Sequence, residues 1–329
     1  MRRPVLLPLV PLYSAGSGLR NLSRALGWQK VRALWHPVIS IGNLSTGGSG
    51  KTPLAITLAR LFADRGFHVD VLSRGYGRKD SRPARVELDG NTEQFGDEPL
   101  LIAREACVPV YVARQRYEAG RLAESEAYHH SQARVHILDD GFQHRQLFRD
   151  VDILLVDRDD WHDHLLPAGN LREGLGSIKR ASVLAIPADD AEFGAELRKT
   201  WKGPVWRLNR RMKIPPVSGP VVAFCGIARP GQFLAGLKSA GLSIAKEITF
   251  ADHHQYSLHD VERLIAAASS ANATALITTE KDEVRLGNFA SDFPARLPLK
   301  TASLQVEIDG ERAAMEWLQE YLVRARAAH

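Results

Sequence analysis

Two kinds of apolar patterning alternate along the chain. Nearly continuous apolar runs at His36–Gly42, His68–Leu72, Val108–Ala113, Val135–Asp139, Val151–Asp157 and Ala181–Ile186 have the length of buried strands. Between several of them, as at Thr52–Ala63, apolar residues return at helical spacing. Such alternation predicts an α/β fold, a doubly wound and mainly parallel sheet with ligands gathering at the carboxyl ends of its strands. Near Lys202–Pro220 the pattern breaks into basic and proline-containing pieces. It then resumes, with a strand at Val221–Phe224, a helix beginning near Arg229, a helix at Val261–Ala271 and a strand at Ala275–Thr279. A strand at Lys300–Ile308 and a helix at Glu311–Arg324 complete it. We therefore expect an N-terminal segment over 1–35, a larger domain over 36–205, a connection over 206–220 and a smaller α/β domain over 221–329.

Composition changes this picture little, but the placement of charge changes it more. The 329 residues are 44% hydrophobic and 25% charged, which excludes disordered and fibrous classes. No apolar run approaches the ~20 residues of a membrane-spanning helix. Two cysteines, Cys107 and Cys225, cannot build a disulfide framework and fit a reducing compartment. The net charge of +5 is uneven: residues 1–63 carry +8 and no acid before Asp64, and the remainder carries −3. Arg2 and Arg3 precede an apolar run resembling a secretory signal, but Pro4, Pro8 and Pro11 interrupt it and should break any continuous helix. No small-x-small cleavage site follows, so no cleavage is expected. Beyond Gly18, Leu19, Leu22, Leu26 and Ala33 share a helical face flanked by Arg20 and Arg24, with Trp28 and Trp35 towards the other side. Such a segment suits an anionic bilayer surface, and equally a helix docked on its own domain.

The sharpest chemistry lies between the first strand and the first helix. Asn43-Leu-Ser45-Thr46-Gly47-Gly48-Ser49-Gly50-Lys51-Thr52 is a glycine-rich turn of the phosphate-binding type. Backbone N–H groups of such a turn, and the helix start after it, point at phosphate. Lys51 can reach the β/γ-phosphates and Thr52 can hold Mg²⁺, although the general pattern has glycine where Ser45 stands. A phosphate loop also needs acids at the end of another buried strand. Asp139-Asp140, followed by Gly141-Phe-Gln-His144, supplies them; Asp157 ends a second strand and is the weaker candidate.

Four further loops fall at strand ends or helix starts. Ser73-Arg74-Gly-Tyr76-Gly-Arg78 offers arginines and an aromatic ring for a phosphorylated ligand, or forms a solvated turn. Asp97 in Gly96-Asp-Glu-Pro99 either caps a helix or accepts a proton from an attacking hydroxyl. Arg172, in Leu166-Pro-Ala-Gly-Asn-Leu-Arg-Glu173, can neutralise phosphate charge. The nearby Trp161-His-Asp-His164 cluster lacks the partners of a metal site. Asp252-His253-His254 places histidines where one can orient a carboxylate. Thr278-Thr-Glu-Lys281-Asp282 is a nucleotide-contact candidate or a simple helix cap.

These stretches, in this order and over nearly the whole chain, closely resemble the tetraacyldisaccharide 4′-kinase family, the lipid A kinases of Gram-negative bacteria. Ser45 agrees with that family, where serine or threonine is common, and Asn170 replaces its more usual proline. The resemblance implies a P-loop fold with a second, smaller α/β domain closing on the nucleotide. It implies transfer of the γ-phosphate of ATP, with Mg²⁺, to the 4′-hydroxyl of tetraacyldisaccharide 1-phosphate, giving lipid IVA. It implies a peripheral enzyme on the cytoplasmic face of the inner membrane, its N-terminal segment on the anionic lipid surface, with no nucleic-acid or protein partner. Carried over by position, Ser45 to Thr52 bind nucleotide, Thr52, Asp139 and Asp140 hold the metal, and Lys51 and Arg172 neutralise charge. Asp97 is similar to the family's base, assisted by His253. Arg74, Tyr76, Arg78 and His144 are candidate acceptor contacts, and Lys281 a nucleotide contact. The rivals are a nucleotide-hydrolysing switch protein, whose Asn-Lys-x-Asp base signature is absent, and a ligase acting on a soluble metabolite, which leaves the basic N-terminus unexplained.

Overall fold

The computed structural model describes residues 3–16, 30–47, 50–126, 133–295 and 297–327. Of the helical pattern expected from Leu19 to Trp35, residues 19–29 lie outside the described residues, as do Gly48 and Ser49 of the glycine-rich turn, and residues 30–35, with Ala33 and Trp35, are not helical. Residues 4–16 are helical, a 3₁₀ turn at Pro4–Leu9 followed by helix α1 at 10–16. The prolines were expected to break a continuous helix. Pro4 opens the 3₁₀ turn, Pro8 lies inside it and Pro11 lies in the first turn of α1, so the segment is helical but changes type between Leu9 and Val10.

The first sheet takes β1 (Val38–Asn43), β2 (His68–Ser73), β3 (Ala84–Arg85), β4 (Val110–Val112), β5 (Arg134–Asp139), β6 (Val151–Leu155), β7 (Val183–Pro187) and β8 (Val205–Lys213). Its crossovers contain α2 (Lys51–Asp64), α3 (Thr92–Phe95), α4 (Asp97–Ala106), α5 (Arg116–Ser125), α6 (Arg158–Trp161) and α7 (Ala191–Thr200). All six residues of β1 are buried, as are those of β5, which is why they read as unbroken apolar runs rather than alternating ones. The second part adds β9 (Val221–Cys225), α8 (Pro230–Ser239), β10 (Ile244–Thr249), α9 (Leu258–Ser270), β11 (Ala275–Thr279), α10 (Glu280–Leu286), β12 (Leu299–Ile308) and α11 (Glu311–Ala327).

The strands form one sheet in the order β10-β9-β11-β12-β8-β7-β6-β1-β5-β2-β4-β3. Pairing is parallel except at β3·β4 and β8·β12. β1 lies between β5 and β6: the connection after β1 runs to β2 on one side and that after β5 crosses to β6 on the other, so a crevice opens at the carboxyl end of β1. This crevice receives the glycine-rich turn.

Two boundaries differ from expectation. The stretch 206–220 is largely a strand: β8 pairs parallel with β7 and antiparallel with β12, leaving 214–220 as the connection. Trp206 and Leu208 face the core and Arg207 and Arg211 face outward, while Arg210, on the side of Trp206 and Leu208, is half-buried beside the glycine-rich turn. Nor does the second part run to the end of the chain. β12 pairs with β11 over Leu299–Ala302 and with β8 over Ser303–Ile308. After it, Met315 and Leu318 of α11 join the core of the first sheet, and Trp317 meets Trp206 edge-on at 6.2 Å between ring centroids. A second core, around Phe224, Tyr256, Leu264 and Leu276, fills the remainder.

Candidate functional site

The glycine-rich turn leaves β1 and enters α2 through Gly50, whose φ of 88° lies in the left-handed region favourable to glycine. Lys51 opens the helix and points back. Its Nζ donates to Asn43 Oδ1 at 2.9 Å and lies 3.3 Å from Asp140 Oδ1. Asn43 in turn donates through Nδ2 to Ser45 Oγ at 3.0 Å. Thr52 sits one residue on and is buried.

Asp139 ends β5 and Asp140 turns away from it with φ of 48°. Non-glycine residues at positive φ are uncommon and gather at functional sites. Burial opposes ionisation of Asp140, but Lys51 and Arg172 outweigh it and bring its carboxyl down to about 2. Arg172 Nη1 stands 3.1 Å from Asp140 Oδ2 and 3.4 Å from Gln143 Oε1. Asp139 is the opposite case. Burial, with the Glu98 and Asp140 charges, pushes its carboxyl up to about 7. It is 2% exposed, and its Oδ1 is buried without a hydrogen-bond partner.

A buried carboxylate with a spare oxygen, an acidic neighbour and a buried threonine hydroxyl suits a hard cation completed by phosphate oxygens and water. Among the described residues no group of three or more His, Cys, Asp or Glu side chains could hold a metal unaided. Asp157, the weaker sequence candidate, caps α6 through Asp160 N–H and pairs with Arg229 at 3.1 Å.

The second cluster joins the two parts of the sheet. Asp97 is the first residue of α4, but its side chain does more than hold the helix end. Oδ1 accepts the Glu98 N–H at 3.0 Å, while Oδ2 meets His253 Nδ1 at 3.0 Å and Arg285 Nε at 2.7 Å. Arg285 Nη2 bonds the same oxygen, and Nη1 donates to Gly226 O at 2.5 Å. Despite burial, which favours the neutral acid, His253 and Arg285 hold the Asp97 carboxyl below the usual range. The hydrogen bond to Asp97 holds His253 above its ordinary value. His254 turns away to Asp260, at 3.2 Å, so the geometry selects His253 of the two. Lys281 Nζ lies 2.5 Å from Glu98 Oε1, beside Asp97.

Tyr76 packs its ring 5.1 Å from that of His253. The turn carrying it needs glycine opposite: a Cβ on Gly96, where φ is 89°, would stand 2.9 Å from Tyr76 O.

Beside Asp140 and Arg172 a cavity of about 490 Å³ is lined also by Arg74, Arg114, Arg116 and His144, with Gln115, Gln143 and Gln146. Arg74, His144 and Arg172 thus come together as the motifs suggested. Arg78 does not join them: its guanidinium donates to the carbonyls of Val112 and Arg82. Several contributors were absent from the sequence reading. Arg116 is 7% exposed, and burial followed by the Arg74 charge lowers it to about 10. Arg285 stands four residues after Lys281 on α10, a spacing that puts both on one helix face. Asn43 and Gln143 lie inside the quoted motifs but carried no role there, and Gln143 Nε2 donates to Asn43 O at 2.8 Å, tying the two turns together.

Comparison with known proteins agrees with this architecture. The family model described as tetraacyldisaccharide-1-P 4′-kinase matches residues 2–323. A tetraacyldisaccharide 4′-kinase of Koribacter versatilis (strain Ellin345) is 42% identical over 316 residues, covering 92% of this chain and 96% of that protein. One from Aquifex aeolicus (strain VF5) is 37% identical over 314 residues, covering 91% and 95%. A solved structure described as the "apo" form of LpxK from Aquifex aeolicus in complex with ATP superimposes with a TM-score of 0.77. It is 34% identical and is covered over 98% of both chains.

Proposed function

The chain belongs to the tetraacyldisaccharide-1-P 4′-kinase family and is an ATP-dependent kinase of lipid A biosynthesis; from this premise we propose how its own residues carry the transfer. The reaction moves the γ-phosphate of ATP to the 4′-hydroxyl of tetraacyldisaccharide 1-phosphate. The observation that carries our reading is the convergence of Lys51, Asp140 and Arg172 on one side of a basic cavity.

The nucleotide phosphates are assigned to the glycine-rich turn, at the start of α2, where a helix N-terminus favours phosphate. Lys51 supplies positive charge at the transferred group, and Arg172 a second cation. Phosphoryl transfer gains chiefly from such positioning and neutralisation. Thr52, Asp139 and Asp140 would hold Mg²⁺, which when bound neutralises phosphate oxygens and aligns them. Asp97 orients the acceptor hydroxyl and takes its proton as the new bond forms. His253 spreads the charge of that carboxylate, while Arg285 keeps it ionised. The cavity arginines Arg74, Arg114 and Arg116, with His144 and Tyr76, face the sugar and its phosphate. Lys281 acts at the Asp97 side, where Glu98 engages it. The larger lobe carries the phosphate loop and the smaller lobe brings His253 and Arg285 to it; 214–220 and the middle of β12 are the crossings on which the lobes close.

No helix among the described residues is long and apolar enough to cross a membrane. We assign the enzyme to the cytoplasmic face of the inner membrane as a peripheral protein, its acceptor being a lipid and ATP being cytoplasmic. Exposed Val5, Leu9, Leu12 and Trp35, in the basic first fifth of the chain, support contact with an anionic bilayer. No nucleic-acid or protein partner is invoked.

The test is incubation with γ-labelled ATP, Mg²⁺ and tetraacyldisaccharide 1-phosphate. Labelled lipid is expected; label found only in inorganic phosphate would overturn the reading in favour of a nucleotide hydrolase.

A further inference from the structure

The helical segment before the glycine-rich turn has two unlike faces. Leu6, Val10, Tyr13 and Ser14 are half-buried, at the spacing of a single face. Val5, Leu9 and Leu12 repeat that spacing on another side and are exposed, by 87%, 46% and 71%. No charged residue occurs from position 4 to position 19. An outward apolar face with no ionic or hydrogen-bonding side chain suits lipid better than a polar protein surface.

The inward face ends on the loop that carries Arg172. Tyr13 donates its hydroxyl to the Arg172 carbonyl at 2.9 Å, and the Arg3 N–H donates to the Ala168 carbonyl at 2.6 Å. The same loop is bonded to the glycine-rich turn. Asn170 O accepts the Thr46 N–H at 2.8 Å, and Leu44 O accepts the Arg172 N–H at 2.7 Å. A little further along the chain, the Arg32 N–H donates to Gln146 O and Arg32 O accepts the Phe148 N–H, beside His144. The segment that bears the apolar face is thus bonded, through the Tyr13 hydroxyl and the Arg3 N–H, to the loop that holds Arg172.

We propose that Tyr13 is a positioning residue that couples bilayer contact to the reaction centre. Seating Val5, Leu9 and Leu12 in lipid fixes the segment, and the Tyr13 hydroxyl then fixes the backbone from which Arg172 reaches Asp140. A segment not held by lipid leaves that carbonyl, and the guanidinium it aims, freer to wander. The inference rests on the membrane contact proposed above.

The experiment compares the full chain with Tyr13→Phe, which removes one hydroxyl and keeps the ring. Turnover is measured on tetraacyldisaccharide 1-phosphate in phosphatidylglycerol vesicles, and on a short-acyl disaccharide 1-phosphate below its critical micelle concentration. Sedimentation of both proteins with the vesicles is measured alongside. The ratio of vesicle to soluble kcat should fall about five-fold in the variant, the worth of one net hydrogen bond. Its KM for ATP and its sedimentation should match the wild type. An unchanged ratio overturns the coupling. So does a fall matched by lost sedimentation, which would make Tyr13 part of the anchor only. Wild-type protein that does not sediment with the vesicles would instead remove the membrane reading itself.

Discussion

Replacing Arg285 by methionine tests the electrostatics of the second cluster at its strongest point. The Arg285 side chain is 1% exposed and that of Asp97 5%, so neither charge can recover full hydration when the other is lost. Asp97 would keep only the Glu98 N–H and His253, and Gly226 O would lose the 2.5 Å donor it now has. Breaking a buried pair by removing one partner costs about 3–5 kcal/mol. At roughly 2–4 °C per kcal/mol for a chain of this class, the melting temperature should drop by about 6–20 °C. The functional consequence has a definite sign. Arg285 helps hold Asp97 below the usual carboxylate range against its burial, so its removal lets the carboxyl rise. A cation at this distance is worth about 1–3 pH units on a carboxylate. The Asp97 limb of the kcat/KM profile, which lies below the ordinary carboxylate value in the wild type, should therefore move up towards neutral pH. The assay compares the acid ends of the two pH–rate profiles, taken with labelled ATP and lipid acceptor down to the lowest pH at which thermal unfolding shows both proteins folded. An acid limb that stays in place while the protein remains folded would refute a working role for the Asp97 carboxylate.

The remaining predictions address other links. Lys51→Ala should lower kcat/KM by about 10²–10³-fold, the usual loss of one transition-state donor, read by label transfer. Asp139→Asn should abolish most of the Mg²⁺-dependent part of the thermal stabilisation by ATP, leaving the stabilisation by ATP in EDTA nearly intact. His253 is raised above its ordinary 6.5, so its contribution is complete below pH 6.5 and fades as pH rises through the higher folded value. The melting temperature difference between wild type and His253→Asn should accordingly shrink from pH 6 to pH 9, and a constant difference would contradict the pairing. Deleting residues 2–32 should weaken sedimentation with anionic vesicles.

How much of this was legible in sequence depended on how local the interaction is. Lys51, Thr52 and the Asp139-Asp140 doublet declare themselves because a turn and a strand end need only neighbours in the chain. Asp97 and His253 are 156 positions apart, and no periodicity could have paired them; only the family resemblance did. Arg285 was within reach, since α10 places it on the face of Lys281, yet a lone arginine in a helix usually reads as solvated. The strand β8 was hidden by its arginines, although Trp206 and Leu208 alternate as an edge of the core requires. The return of β12 and α11 to the first sheet has no local signal at all, because it follows from which strand edge remained open. Arg78 shows the converse: it lies in the quoted motif, but its guanidinium is taken up by backbone carbonyls of its own turn and its neighbour.

We propose that the phosphate loop of one lobe and the Asp97 cluster between the lobes act on a single transfer. Single-turnover rapid quench with Asp97→Asn measures that most directly. Transfer of label from ATP to lipid should slow by about 10²–10⁴-fold, the worth of a general base, while the dissociation constant for ATP stays within a factor of about three. Transfer at close to the wild-type rate, with ATP bound equally well, would contradict the account and return Asp97 to the role of an interlobe ion pair.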